Sequence, residues 1–363
     1  MAQMTSTAGE QETGPGTDER RIERTVSTAI GPVPRVGTTL SFADTLGRWK
    51  ARWGIGRMRY EVEPGLYAVG DPTPESAVLV SANYKMSFDH LRSQLGGLDA
   101  WILVLDTRGI NVWCAAGKGT FGTEELVQRV ASVRLADVVA HRKLVVPQLG
   151  APGVSAHEVR RQSGFRVVYG PVRAEDIPPF LEAGMKATPE MRRVQFTLRD
   201  RVALIPLELV GWAKYALVAA VVLLLLSGLW RGGYEPGRIA TLGSRHVLLL
   251  VGAYVAGAAL APALLPWLPG RAFAAKGAWT GLVLFLGVAA YAHTRPGVFE
   301  NWPSGAAWLL MAPAIASFAA MNFTGASTYT SLSGVRREMS IAVPAQIVAG
   351  VAGVGLWLAG RFL

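Results

Sequence analysis

Apolar and polar positions along this 363-residue chain fall into two regimes. Up to about Leu204, charged residues are spread throughout, and short apolar runs alternate with stretches of helical spacing. Ser76-Ala77-Val78-Leu79-Val80-Ser81 reads as a strand, followed by a helical pattern from Phe88 to Leu95. A second buried strand, Trp101-Ile102-Leu103-Val104-Leu105, ends at Asp106. A helix is predicted from Thr123, with Thr123 as N-cap and Glu124 and Glu125 in its first turn. Lys143-Leu144-Val145-Val146 is a third strand, closed by Pro147, and Ser155-Ala156-His157-Glu158 reads as a capping box. Phe165-Arg166-Val167-Val168-Tyr169 is a fourth strand, and residues 174–183 form a helix interrupted by Pro178-Pro179. The alternation predicts a Rossmann-like α/β domain over residues 41–205, with a mainly parallel sheet and helices on both faces. Ligands of such sheets lie beyond the carboxyl ends of the strands. Those ends carry Asn83, Asp106 and Thr107, then Pro147, Gln148 and Gly150, then Gly170 and Pro171.

From about residue 206 to Leu363 the chain is apolar, with its charges confined to short connections. Residues 212–230, 246–268, 278–293, 306–323 and 341–360 are each near the roughly 20 residues that cross a bilayer. An all-α bundle of five transmembrane helices is the expectation, its Gly and Ala residues allowing close helix approach. Trp212, Trp230, Trp267 and Trp302 fall near the predicted ends, where amphipathic rings favour the interface. Arg192, Arg193, Arg199, Arg201, Arg271, Lys276, Arg336 and Arg337 flank the side of the N-terminal domain. Arg231, Arg238, Arg245, Arg295 and Arg361 flank the other, so the excess predicts a cytoplasmic N-terminal domain on a multi-pass inner-membrane protein. This flanking pattern accounts for most of the net charge of +10, and no basic stripe with interleaved aromatics points to nucleic acid. Residues 1–40 read as a disordered tail without the apolar core of a secretory signal.

The chain has a single cysteine, Cys114, which rules out an internal disulfide and a cysteine-ligated iron–sulfur or zinc centre. It sits in Asn111-Val112-Trp113-Cys114-Ala115-Ala116-Gly117-Lys118, between a strand and a helix. Two readings stand side by side. A cysteine between Trp and Ala is commonly a small core residue; a thiol near helix N–H groups and Lys118 is suited to be a thiolate ligand or nucleophile. Gly117, Gly119 and Gly122 have dinucleotide-loop spacing but follow the strand too distantly for that fingerprint. The apolar spans hold few ionisable residues, with Lys214, Lys276 and His293 near ends, so they offer no ion path and weigh against a transporter.

The stretch from Asn111 to Lys118, continued by Gly119-Thr120-Phe121-Gly122-Thr123, resembles the cap-helix signature of the membrane-bound corrinoid proteins that methylate mercury. That family is related to the large (gamma) subunit of the corrinoid iron–sulfur protein of acetyl-CoA synthesis. Gly65-Leu66-Tyr67-Ala68-Val69-Gly70, Ala82-Asn83-Tyr84-Lys85 and Pro147-Gln148-Leu149-Gly150-Ala151-Pro152-Gly153 extend the resemblance, as do the five spans. So does the segment from Met321-Asn322-Phe323-Thr324-Gly325 to Ser333-Gly334-Val335. The resemblance implies a bound cobalamin or related corrinoid with the Cys114 thiolate as lower axial ligand of cobalt. Asn111 to Thr120 would pack beneath the ring, with Asn83, Thr107, Gln148, Gly150 and Gly170 as further contacts. The activity implied is corrinoid-dependent methyl transfer to Hg(II), giving methylmercury. The implied partners are a ferredoxin-like protein with [4Fe–4S] clusters as reductant, a methyl-tetrahydrofolate-linked methyl donor and membrane lipid. Donation from a soft thiolate to a soft metal fits that chemistry. The same features also suit a membrane-anchored methyl carrier for another acceptor, or a cobalamin-binding membrane protein without catalysis. Bulky substitutions at Ala115 or Ala116 are expected to expel the ring.

Overall fold

The computed structural model describes residues 22–295, 297–326 and 332–363. They divide into two compact units, one ending at Arg193 and the other running from Val194, with residues 50–55 grouped in the second. This division lies ahead of residue 205, where the α/β domain is expected to end. Thr197 and Asp200 build a reciprocal capping box, and the helix it opens, Leu198–Val202, already leads into the first apolar helix.

In the first unit the chain forms β1 (Ile22–Thr28), β2 (Gly31–Val36), α1 (Phe42–Arg52), β3 (Gly65–Val69), β4 (Ala77–Ala82) and α2 (Lys85–Ser93). It continues with β5 (Ala100–Leu105), α3 (Val112–Lys118), α4 (Thr123–Ser132), α5 (Leu135–Val138), β6 (Lys143–Val146), α6 (Ala156–Ser163), β7 (Arg166–Tyr169) and α7 (Ile177–Glu182). One sheet of seven strands has the order β1-β2-β3-β5-β4-β6-β7. Strands β5, β4, β6 and β7 are parallel neighbours, whereas β3 runs antiparallel to β5 and β1 antiparallel to β2. The sheet is thus mixed, and the four strands read from the sequence are its parallel part. All six residues of β5 are buried, which is why it reads as a continuous apolar run rather than an alternation. Leu126, Val130 and Val159 cover one face with Val78 and Leu103; Phe88, Leu91 and Phe180 cover the other with Leu79 and Ile102.

Residues 22–36, placed by composition in a disordered tail, instead form the β1–β2 hairpin; residues 1–21 lie outside the described part. Pro32 and Pro34 and the polar alternation masked β2, yet Val33 and Val36 reach the two cores. Pairing of β2 with β3 is confined to Arg35 and Ala68, so on that side neither proline is asked for a ladder hydrogen bond.

Helix α1 is fastened by charge. Asp44 accepts from Lys85 Nζ at 2.6 Å and from Arg92 Nη2 at 2.8 Å, while Asp89 pairs with Lys85 and, at 2.9 Å, with Arg92 Nε. All four side chains are buried. Arg92 also donates to the carbonyls of Gly37 and Thr39, so α2 holds the link between β2 and α1. Burial alone would raise the affinity of the Asp44 carboxyl for a proton. The hydrogen bonds from Lys85 and the Ser41 backbone N–H, with the Lys85 charge and the Ser41 hydroxyl, outweigh it and hold the carboxyl well below the usual range.

In the second unit five helices are long and apolar enough to cross a membrane: Leu198–Leu226, Pro236–Ala263, Phe273–Thr294, Trp302–Gly325 and Ser333–Ala359. Gly257, Gly277 and Gly281 meet the backbone of the fourth helix so closely that a side chain would collide with it. Buried His246 accepts from Trp308 Nε1 at 2.8 Å, a polar contact sealed inside the bundle. Part of the stretch from Met321 to Val335 lies outside the described residues.

Candidate functional site

The order of the strands reverses between β5 and β4. The connection leaving β4 leads to β5, while the one leaving β5 crosses to β6 on the far side of β4. Open α/β sheets hold ligands in the crevice at such a reversal, beyond the carboxyl ends. Cys114 lies there, on the first helix after β5.

Asn83, directly after β4, organises the turn that leads to that helix. Its Oδ1 accepts from Thr107 N at 3.1 Å, Thr107 Oγ1 at 2.8 Å and Gly109 N at 3.0 Å, and its Nδ2 donates to Glu61 at 3.3 Å. Thr107 Oγ1 is also 2.6 Å from the Ile110 carbonyl. Asn83 and Thr107 are both buried. These two residues, expected as ring contacts, satisfy each other and shape the loop between β5 and α3. In the sequence nothing separates a strand-end polar residue that touches a ligand from one that ties two strand ends together. Asn83→Ala should cost about 1–3 kcal/mol for each buried donor it leaves unpaired. Thermal unfolding of the full chain and faster alkylation of Cys114 would read this out; unchanged behaviour in both would refute the positioning role.

Helix α3 starts with Asn111 as N-cap, whose Oδ1 accepts from Cys114 N at 3.0 Å, and ends at Gly119 in the left-handed region (φ 81°). Its two faces differ sharply. Ala115 and Ala116 are buried in the core with Val78 and Phe121, whereas Trp113, Gly117 and Lys118 are exposed and Cys114 is half-buried. Ala115 and Ala116, expected against the ring, are therefore the helix's footing, and a bulky residue there would act on the fold. The sequence did not reveal this because nothing in the pair Ala115-Ala116 separates a face packed on the core from one turned to a ligand. Gly117, one turn from Cys114, has open space where a side chain would project. Val112 is half-buried against the core and Thr120 closes the helix through its N–H to Ala115 O at 3.0 Å.

The 147–153 loop after β6 supports α3 from below. A methyl at Gly153 would lie 2.1 Å from Phe121 O and 3.1 Å from Ala116 Cα, so only glycine allows this backbone-to-backbone approach. Gly150 packs on the Phe121 ring and Gly170 on Val145, which makes both packing positions. Gln148 differs: its Oε1 is buried and accepts no hydrogen bond within the described residues. Thr123, expected as an N-cap hydroxyl, begins α4 behind Gly122 and accepts from Ser155 N at 2.8 Å. Ser155 is the N-cap of α6, but its hydroxyl makes no capping bond, so the expected box is not formed.

Among the described residues no three His, Cys, Asp or Glu side chains converge on a metal position. A metal held at Cys114 would take one protein ligand and bring its others with it. A macrocycle-bound metal fits that donor set, and the open position over Gly117 fits a flat ligand.

Residues 56–181 match the model of the CO dehydrogenase/acetyl-CoA synthase delta subunit family, a stretch that holds β3 to β7 and the whole Cys114 site. The acetyl-CoA decarbonylase/synthase complex subunit gamma of Methanopyrus kandleri is 35% identical over 124 residues, 34% of this chain and 26% of that protein. The subunit of the same name from Archaeoglobus fulgidus is 32% identical over 128 residues, 35% of this chain and 27% of its own. The α/β domain is thus similar to subunits of that complex. The chain spans about a quarter of the length of these relatives. The family match stops before the apolar helices.

Proposed function

We propose that the α/β domain binds a corrinoid with the Cys114 thiolate as lower axial ligand of cobalt, and that the chain transfers methyl to Hg(II). The observation that carries this reading is a solitary soft ligand, half-exposed beside the open position of Gly117 at the strand-order reversal. When bound, the corrinoid supplies a cobalt-held methyl group, which an electron-donating sulfur makes easier to pass to an electrophile. The chain's own residues set the geometry. Asn111 fixes the backbone of Cys114 and so directs its sulfur, and Gly117 leaves room for a flat ligand.

A ferredoxin-like partner with [4Fe–4S] clusters would supply electrons, since the one cysteine of this sequence cannot hold a cluster. A methyl-tetrahydrofolate-linked protein would supply the methyl group. The apolar helices would keep the domain at the cytoplasmic face of the inner membrane. A second reading, a methyl carrier for another acceptor, is favoured by the similarity to acetyl-CoA decarbonylase/synthase subunits. Expressing the chain with its candidate ferredoxin and assaying methylmercury against a cobalamin-free control separates them. A chain loaded with a methylated corrinoid that leaves Hg(II) unmethylated would retire the mercury reading and keep the carrier.

The site also predicts an outcome for Gly117→Leu. Leucine is favoured over glycine inside a helix by roughly 0.5–1 kcal/mol, and the position is open, so the fold should hold. Cobalamin retention by the purified full chain should nonetheless fall about tenfold or more, a loss of roughly 1.4 kcal/mol in binding. Full retention would show that no ring covers this face.

A further inference from the structure

We propose that helix α1 lies in the interface of a phospholipid bilayer with anionic headgroups, as an in-plane anchor additional to the apolar helices. Phe42, Leu46 and Trp49 recur at helical spacing i, i+4, i+7, and Trp53 continues the row just beyond the helix end. Phe42 is 82%, Leu46 37% and Trp49 56% exposed, although these are large apolar side chains. The opposite face is fixed: Asp44 and Ala51 are buried, and the ion pairs of Asp44 with Lys85 and Arg92 set the rotation of the helix. The outward direction of the apolar row therefore follows from a buried charge cluster. Ile55 and Met58, 58% and 76% exposed, extend the apolar surface past the helix.

Lipid, rather than a protein partner, is indicated by charge and by continuity with the apolar helices. Arg48, Lys50, Arg52, Arg57 and Arg59 accompany the apolar row, and in the segment from Phe42 to Tyr60 the sole acidic residue is the buried Asp44. An exposed apolar stripe bordered by basic residues matches the composition of helices that lie in the plane of an anionic membrane surface. Residues 50–55 also belong to the unit of apolar helices. Within that unit a methyl added at Gly54 would lie 3.8 Å from both Leu207 and Val210, near the beginning of the first apolar helix. Gly54, next to Trp53, thus lies beside the start of a spanning helix, the depth at which tryptophan side chains favour the interface.

The test uses the full chain with Cys114→Ser, reconstituted in nanodiscs, and does not depend on the corrinoid reading. Phe42→Cys, Leu46→Cys, Trp49→Cys and, as the flanking control, Thr45→Cys are each spin-labelled, and collision rates with oxygen and with a water-soluble nickel chelate are compared. Labels at 42, 46 and 49 should be more accessible to oxygen than to nickel, and the label at 45 the reverse. The oxygen preference should grow when phosphatidylglycerol is added to phosphatidylcholine. Nickel access at all four positions would overturn the proposal. Shielding of 42, 46 and 49 from both reagents would overturn it too, by showing protein in the place of lipid. Indifference to lipid charge would remove the role given to the basic residues.

Discussion

Cys114→Ala should abolish most methyl transfer while leaving the protein folded. The sulfur is half-exposed, and alanine has a better helix propensity than cysteine, so α3 loses no support through the change. Its neighbours Ala115 and Ala116 keep their places in the core. Removing the only soft ligand at the site should then lower methylmercury formation by at least about 100-fold, the upper range found even for residues that only orient metal ligands. The absorption spectrum of the cobalamin-loaded full chain should change with it, because a sulfur donor to the metal would have been lost. Two results would sink the assignment. One is a rate within roughly threefold of the parent, far short of the loss expected of a ligand; the other is superimposable spectra.

The second large effect concerns stability. Asp44→Asn removes one of two carboxylates facing two buried cations, leaving Lys85 and Arg92 to share Asp89. Breaking a buried charge pair from one side costs about 3–5 kcal/mol. For a unit of this size that lowers the unfolding midpoint by on the order of 10 °C, followed by proteolysis of the membrane-embedded full chain on heating. The pH dependence has a definite sign. The Asp44 carboxyl binds its proton less readily folded than unfolded, so its stabilisation is present above the ordinary carboxylate value of 3.8. It is lost as pH falls below that value through the depressed folded one. The Asn variant should lack this part of acid unfolding. A loss under about 1 kcal/mol would place the cluster among ion pairs that contribute little.

Legibility in the sequence followed the kind of signal involved. The parallel strands announced themselves because strands covered on both faces are unbroken apolar runs, as in Trp101 to Leu105. The five apolar helices were legible for the same reason, by length and composition, although their ends shifted where capping residues such as Thr197 and Asp200 recruit polar sequence into a helix. The β1–β2 hairpin was hidden because its stability comes from partners distant in sequence, and its prolines imitate a linker. Helix α1 was missed because its apolar row is interrupted by charges that only the fold sorts onto different faces. At the site, the prominence of Cys114 was plain from its being unique. Which of its neighbours face outward was not, since Asn83, Thr107, Ala115 and Ala116 differ from ligand contacts in burial alone. Gly153 belongs to the family resemblance; its function as the floor under α3 emerges only from the fold, where an added methyl would lie 2.1 Å from Phe121 O.

That floor has a mechanical consequence. With backbone pressed on backbone beneath it, α3 has little travel toward the sheet, and Asn111 restrains its leading end. The sulfur of Cys114 keeps mainly its freedom to rotate about Cα–Cβ among staggered positions. Such a stiff mount would hold any group bound at the sulfur at a height fixed by the packing beneath α3. A methyl at position 153 could not be fitted without lifting the helix, and the sulfur with it.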